Sequence, residues 1–204
     1  MIRIVSLSAG KYRHWWPPLA VILISMLFQQ MGDPDWLRYQ RAELPTPGWW
    51  RFVSANFIHL GWPHWWLNMA SLVLMHVLVG HHFPPRQWLA VMLTCCLGVS
   101  VGLYLLNPWI EWYVGFSGTL YGILVAGLCA EIYRTHGRQR LIGALLLACM
   151  IAKLVWEQVF GATPGSAEMA GGPVIVDSHL YGCIAGAVAI AVILLAERST
   201  GRSN

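Results

Sequence analysis

The sequence predicts an all-α polytopic membrane protein with six transmembrane helices. Hydrophobic residues make up 57% of the 204 positions and charged residues only 11%, whereas soluble domains carry about 25% charged residues. Six long apolar segments are each bounded by Gly, Pro or charged clusters, and basic residues collect in alternate gaps between them. A bilayer-crossing helix needs roughly 20 mainly apolar residues. The six segments nearly exhaust the chain, so a single membrane domain over residues 1–204 is expected.

The first span, about 15–31, follows Lys11 and Arg13 and has the outline of a signal peptide. Its bulk, its length and the absence of a small-residue cleavage site after it favour a retained helix. Gly32-Asp33-Pro34 ends it. The second span, about 57–80, stops at Phe83-Pro84-Pro85-Arg86, and the third, about 88–106, at Asn107-Pro108. The fourth, about 117–134, gives way to the basic stretch Arg134 to Arg140; the fifth covers about 141–160. A glycine-rich loop from Gly161 to Asp177, free of Lys and Arg and a candidate lid, leads to the sixth span, about 178–197.

Lys/Arg asymmetry sets the expected orientation. With the N-terminus inside, Arg3, Lys11, Arg13, Arg86, Arg134, Arg138, Arg140, Arg198 and Arg202 are cytoplasmic, against Arg38, Arg41 and Arg51 outside. Both termini are therefore expected in the cytoplasm. Trp15, Trp16, Trp36, Trp49, Trp50, Trp62, Trp109 and Trp112 lie near span ends, as in an interfacial aromatic belt. The net charge of +4 is spread between apolar runs and makes no basic face for nucleic acid. Cys95, Cys96, Cys129, Cys149 and Cys183 all fall within apolar segments without metal-ligand or disulfide spacing, and read as small packing residues. No cofactor or metal site is expected; His76, His81 and His82 lie too far along the second span from His64 to join it.

Polar side chains are costly in hydrocarbon, and four stand out near the outer ends of their spans: His64, Asn68, Ser117 and His179. Pro63 suits a first helical turn, and His64 and Asn68 then follow at i and i+4 on one face. They read either as an interhelical polar clamp or as two donors aimed at a ligand. Gly115-Phe116-Ser117-Gly118 places a serine between glycines at a helix start, where free N–H groups can stabilise an oxyanion. The alternative is a serine N-cap. Gly118 and Gly122 on the fourth span match Gly182 and Gly186 on the sixth, two small-xxx-small faces that would bring Ser117 to His179 if they met. Imidazole can accept a serine proton at neutral pH. Asp177 and Glu168 fall in the loop, so no carboxylate is expected to orient His179; the pair reads as a dyad, with the Tyr121 ring available to pack on the imidazole. Lys153 and Glu157, at i and i+4 in the fifth span, read as an intrahelical ion pair, or as a polar element near a lateral gate.

Trp50-Arg51, His59-x4-His64-x3-Asn68, Gly115-x-Ser117-Gly118 with Tyr121, and His179-x2-Gly182-x3-Gly186 occur in this order. Together they resemble the rhomboid intramembrane proteases across all six spans. The resemblance implies a rhomboid-like helical bundle, with Ser117 as nucleophile, His179 as general base and acid, and Tyr121 packing on His179. It also implies an oxyanion hole of His64, Asn68 and the Ser117 N–H, and structural or membrane-positioning roles for His59 and the Trp50-Arg51 loop. The expected reaction is hydrolysis of transmembrane or C-terminally membrane-anchored proteins near the outer face of a bacterial inner membrane. Membrane lipids are the other expected partners, and nucleic acid is not one. The Trp- and His-rich second span looks like that of rhombosortases, which process Gly-Gly sorting tails. A non-catalytic rhomboid-like protein that escorts membrane clients is the alternative, and a small transporter the remoter one.

Overall fold

The computed structural model describes residues 14–32, 34–44 and 47–200. Arg3, Lys11, Arg13, Asp33 and Arg202, which enter the expectations on orientation and boundaries, lie outside the described residues. In chain order the elements are α1 (Trp16–Gln30), β1 (Tyr39–Gln40), α2 (Arg51–Ser54), α3 (Trp62–Val79), α4 (Pro85–Leu106), β2 (Trp112–Tyr113), α5 (Ser117–Arg134), α6 (Gly137–Phe160), α7 (Ser166–Ala170) and α8 (Val176–Ser199).

Proline marks the starts of α1, α3 and α4, where its missing N–H costs nothing. The helix expected from residue 57 thus begins only at Trp62, because Ala55–Phe57 forms a tight 3₁₀ turn and Gly61 is extended. By length and composition, α4, α6 and α8 are apolar enough to cross a membrane, and α1 is a shorter apolar helix. At 18 residues each, α3 and α5 are less apolar, since α3 carries two histidines and an asparagine, and α5 carries Ser, Thr, Glu and Arg.

The bundle is built around α5, which packs most extensively on α8, while α4 packs against both. Met69 and Leu72 of α3, Met92, Cys95 and Cys96 of α4, Leu120 and Ile123 of α5, and Ala185 and Ala189 of α8 form one core. The peripheral helix is α6, which buries only Gly143, Met150 and Glu157, each seven residues apart on one seam. Leu147 and Leu154 pack half-buried beside Met150, while Leu145, Ile151, Val155 and Phe160 are among the exposed apolar side chains of α6. All five cysteines are free; Cys95, Cys96 and Cys183 are buried in packing positions, whereas Cys149 on α6 is exposed.

A two-stranded antiparallel ribbon, with Tyr39 opposite Tyr113 and Gln40 opposite Trp112, ties the α1–α3 connection to the α4–α5 connection at one end of the bundle. The Arg41 guanidinium donates to the Tyr104 carbonyl at 2.6 Å, satisfying an orphan acceptor at the end of α4. Exposed Trp36, Trp49, Trp50, Trp109 and Trp112 lie in these same connections.

Candidate active site

Helices α5 and α8 meet through glycine. A Cβ on Gly182 would overlap the Gly118 carbonyl oxygen, and one on Gly186 would overlap that of Gly122. A Cβ on Gly118 would in turn lie 2.6 Å from the Ser178 carbonyl oxygen. Backbones this close carry the residues that flank the glycine faces into direct contact. Ser117 opens α5, and His179 lies in the first turns of α8.

The Ser117 hydroxyl is 3.1 Å from His179 Nε2, and His179 is 4% exposed. On its other side His179 Nδ1 lies 2.9 Å from Glu157 Oε2. A carboxylate can only accept there, so Nδ1 carries the proton and Nε2 presents its lone pair to Ser117. This corrects the expectation that no carboxylate reaches the histidine. Asp177, expected in the loop, lies in the first turn of α8 and accepts from Asn107 Nδ2 at 2.6 Å, away from His179. Glu168 lies on α7 and is exposed.

The Tyr121 ring stacks on His179 with centroids 4.1 Å apart and planes 7° from parallel, as its position one turn after Ser117 suggests. Its hydroxyl donates to Glu157 Oε1 at 3.1 Å. Lys153 donates to that same oxygen and to the Tyr121 hydroxyl. The Lys153–Glu157 ion pair expected within α6 is present, and it is one side of a four-residue network.

Two further side chains with donor groups, His64 and Asn68, line the cavity that Ser117 lines. The Leu60 N–H donates to His64 Nδ1 at 3.3 Å, which leaves the proton on Nε2 and makes that nitrogen a donor. The Asn68 amide nitrogen is buried with no hydrogen-bond partner among the described residues. Gly115, at φ +127°, runs against His64, whose Cε1 would lie 2.9 Å from a Cβ there. His59 is buried and meets the His64 ring edge-on, with centroids 5.1 Å apart.

His64, Asn68, Ser117, Glu157 and His179 all line a cavity of about 490 Å³. Ser166, Ala170 and the stretch Pro173 to Ile175 line another wall of it, so the Gly161–Asp177 connection covers the site. Trp50 and Arg51 stand apart from the cavity. Trp50 donates to the Trp36 carbonyl at 2.9 Å, and Arg51 Nη1 reaches the Asp35 carbonyl (2.7 Å), the Arg38 carbonyl (3.0 Å) and Gln40 Oε1 (3.2 Å). They organise the connection that precedes α3.

The Rhomboid domain family matches residues 46–196. The chain belongs to the rhomboid family. It is similar to Rhomboid-like protein 11, chloroplastic, of Arabidopsis thaliana, 24% identical over 177 residues, which are 84% of this chain and 61% of that protein. The chain thus spans less than two thirds of that curated relative. Family membership and the apolar helices make it a multi-pass membrane protein.

Glu157 is the site residue that sequence reasoning missed in this rhomboid protein. The available signal was a charge inside an apolar span, which needs partners, and Lys153 one turn away offered a sufficient one. Among the described residues, His81, His82 and Glu131 also converge, with ligand atoms within 4.8 Å of one another. They lie toward the far end of α3 from His64, and His82 contacts Glu131 directly.

Proposed function

We propose that the chain is an intramembrane serine endopeptidase with six membrane-crossing helices, α1, α3, α4, α5, α6 and α8. The observation that carries this reading is the Ser117–His179 hydrogen bond in a cavity that His64 and Asn68 also line. In this mechanism His179 Nε2 takes the Ser117 proton as the hydroxyl oxygen attacks the scissile carbonyl. The oxyanion is held by His64 Nε2–H, the Asn68 amide and the N–H of Ser117 at the start of α5. Collapse of the tetrahedral intermediate expels the amine, which takes its proton from Nε2. Water then attacks the acyl-enzyme with His179 again acting as base, releasing the new carboxylate and restoring the serine.

The substrate class is a membrane-anchored protein. A segment can approach beside α6, whose outward face is apolar and buries almost nothing. Entry past the covering α7 connection is the route from the aqueous face. The location proposed is a bacterial inner membrane; the Lys/Arg asymmetry supports cytoplasmic termini, and Ser117 is then near the outer face. The Trp- and His-rich α3 supports the narrower proposal that substrates carry C-terminal Gly-Gly sorting tails, as for rhombosortases.

Labelling with a fluorophosphonate probe tests the reading. Wild-type protein in detergent should label at Ser117 and Ser117→Ala should not. An unlabelled wild type, with no cleavage of a membrane-anchored reporter, supports a non-catalytic escort instead. C-terminal proteomics with and without Ser117 reads the tail preference.

A further inference from the structure

We propose that Glu157 is a positioning residue for His179, so that the site works as a Ser117–His179–Glu157 triad in place of a dyad. The inference rests on the protease reading above.

An ion pair within α6 accounts for Lys153 and one carboxylate oxygen. It does not account for the other oxygen, which lies 2.9 Å from His179 Nδ1 on α8. Nor does it account for burial: Glu157 is 2% exposed on a helix that otherwise buries only Gly143 and Met150, while Lys153 is 47% exposed in its side chain. The carboxylate therefore faces inward, and the lysine lies at the edge of the same cavity.

Each contact has a consequence for the reaction. Acceptance from Nδ1–H selects the tautomer whose Nε2 can take the Ser117 proton. When that proton arrives, the imidazolium forms in contact with an anion, where a low-dielectric surround makes the attraction strong. Tyr121 and Lys153 both donate to Oε1, which fixes the carboxylate plane and keeps Oε2 aimed at the histidine. Tyr121 thus supports the imidazole twice, by stacking on it and by holding its partner. No proton passes to Glu157 in this scheme; it remains the acceptor throughout.

The test is Glu157→Gln in the full chain. The amide preserves volume and an acceptor oxygen, so a residue that only fills space tolerates the change. A positioning carboxylate does not, because the charge is lost and an amide N–H can turn toward Nδ1 and select the wrong tautomer. The expected result is a fall in kcat of roughly 10²- to 10⁴-fold with KM within about threefold, and a parallel slowing of fluorophosphonate labelling. Nitrogen NMR of histidine-labelled protein reports the tautomer directly: wild type should show His179 protonated at Nδ1, and Glu157→Gln a mixed population. Lys153→Met, which spares the Glu157–His179 contact, should lower kcat less than Glu157→Gln. Melting temperature in detergent identifies any variant that fails to fold. For such a variant, the wild-type His179 nitrogen spectrum decides, and a ring protonated at Nε2 overturns the proposal. A wild-type kcat and labelling rate in folded Glu157→Gln overturn the triad and leave the Ser117–His179 protease standing. A wild type that neither labels nor cleaves overturns both.

Discussion

The Gly118 carbonyl oxygen of α5 occupies the space that a Cβ on Gly182 of α8 would need. The same interlock recurs one turn along, between Gly122 and Gly186. Alanine at Gly182 or Gly186 must push the two backbones apart, and overpacking of this kind costs about 1–3 kcal/mol. Both variants should melt at lower temperature in detergent and cleave more slowly, since the displacement also opens the Ser117–His179 gap. Ala187→Leu, on the exposed side of α8, should melt like wild type.

Removing either reacting group should end catalysis. Ser117→Ala and His179→Ala are expected to reduce reporter cleavage to background, with Ser117→Ala also losing the probe adduct. Undiminished cleavage by Ser117→Ala would mean that another nucleophile operates.

Asn68 offers an amide nitrogen with no partner among the described residues, which the proposed mechanism uses for charge that appears only during reaction. Loss of one oxyanion donor costs on the order of 100- to 1,000-fold in kcat, and Asn68→Ala should show that loss with little change in KM. A wild-type rate for Asn68→Ala takes it out of the oxyanion hole. His64→Ala should fall at least as far, because it also strips the Leu60 N–H of its acceptor.

Arg51 shares the two N–H groups of Nη1 among three acceptors at the far end of a planar guanidinium, a point that the shorter lysine side chain does not reach. Arg51→Lys should destabilise the connection before α3 by roughly 1–3 kcal/mol, the cost of buried polar groups left unmet. Limited proteolysis between residues 34 and 44 should accelerate, while fluorophosphonate labelling of the folded fraction stays near wild type. Equal proteolysis rates would count against this role.

Much of this architecture is legible before any coordinates. Apolar length marks the helices, and the spacing of Gly118, Gly122, Gly182 and Gly186 marks the faces that meet. Both signals are local to one segment. Glu157 escapes because its significance depends on how α6 is rotated about its own axis, and a single seam of Gly143, Met150 and Glu157 is too sparse to read as a buried face. Asp177 is misjudged for a different reason. The Gly-rich run before it reads as loop, yet an acid in the first turn of a helix is favoured by the helix dipole, and α8 begins one residue earlier. The start of α3 follows from Pro63, but the 3₁₀ turn before it has no comparable marker.

The carboxylate beside His179 rides on α6, which buries only Gly143, Met150 and Glu157 along its whole length. If α6 leans outward to admit a polypeptide, Glu157 leaves Nδ1 and the imidazole loses its counter-charge; when α6 returns, the charge returns with it. Loading and chemistry would then exclude one another, and a half-open protein would be idle toward water as well as toward passing chains.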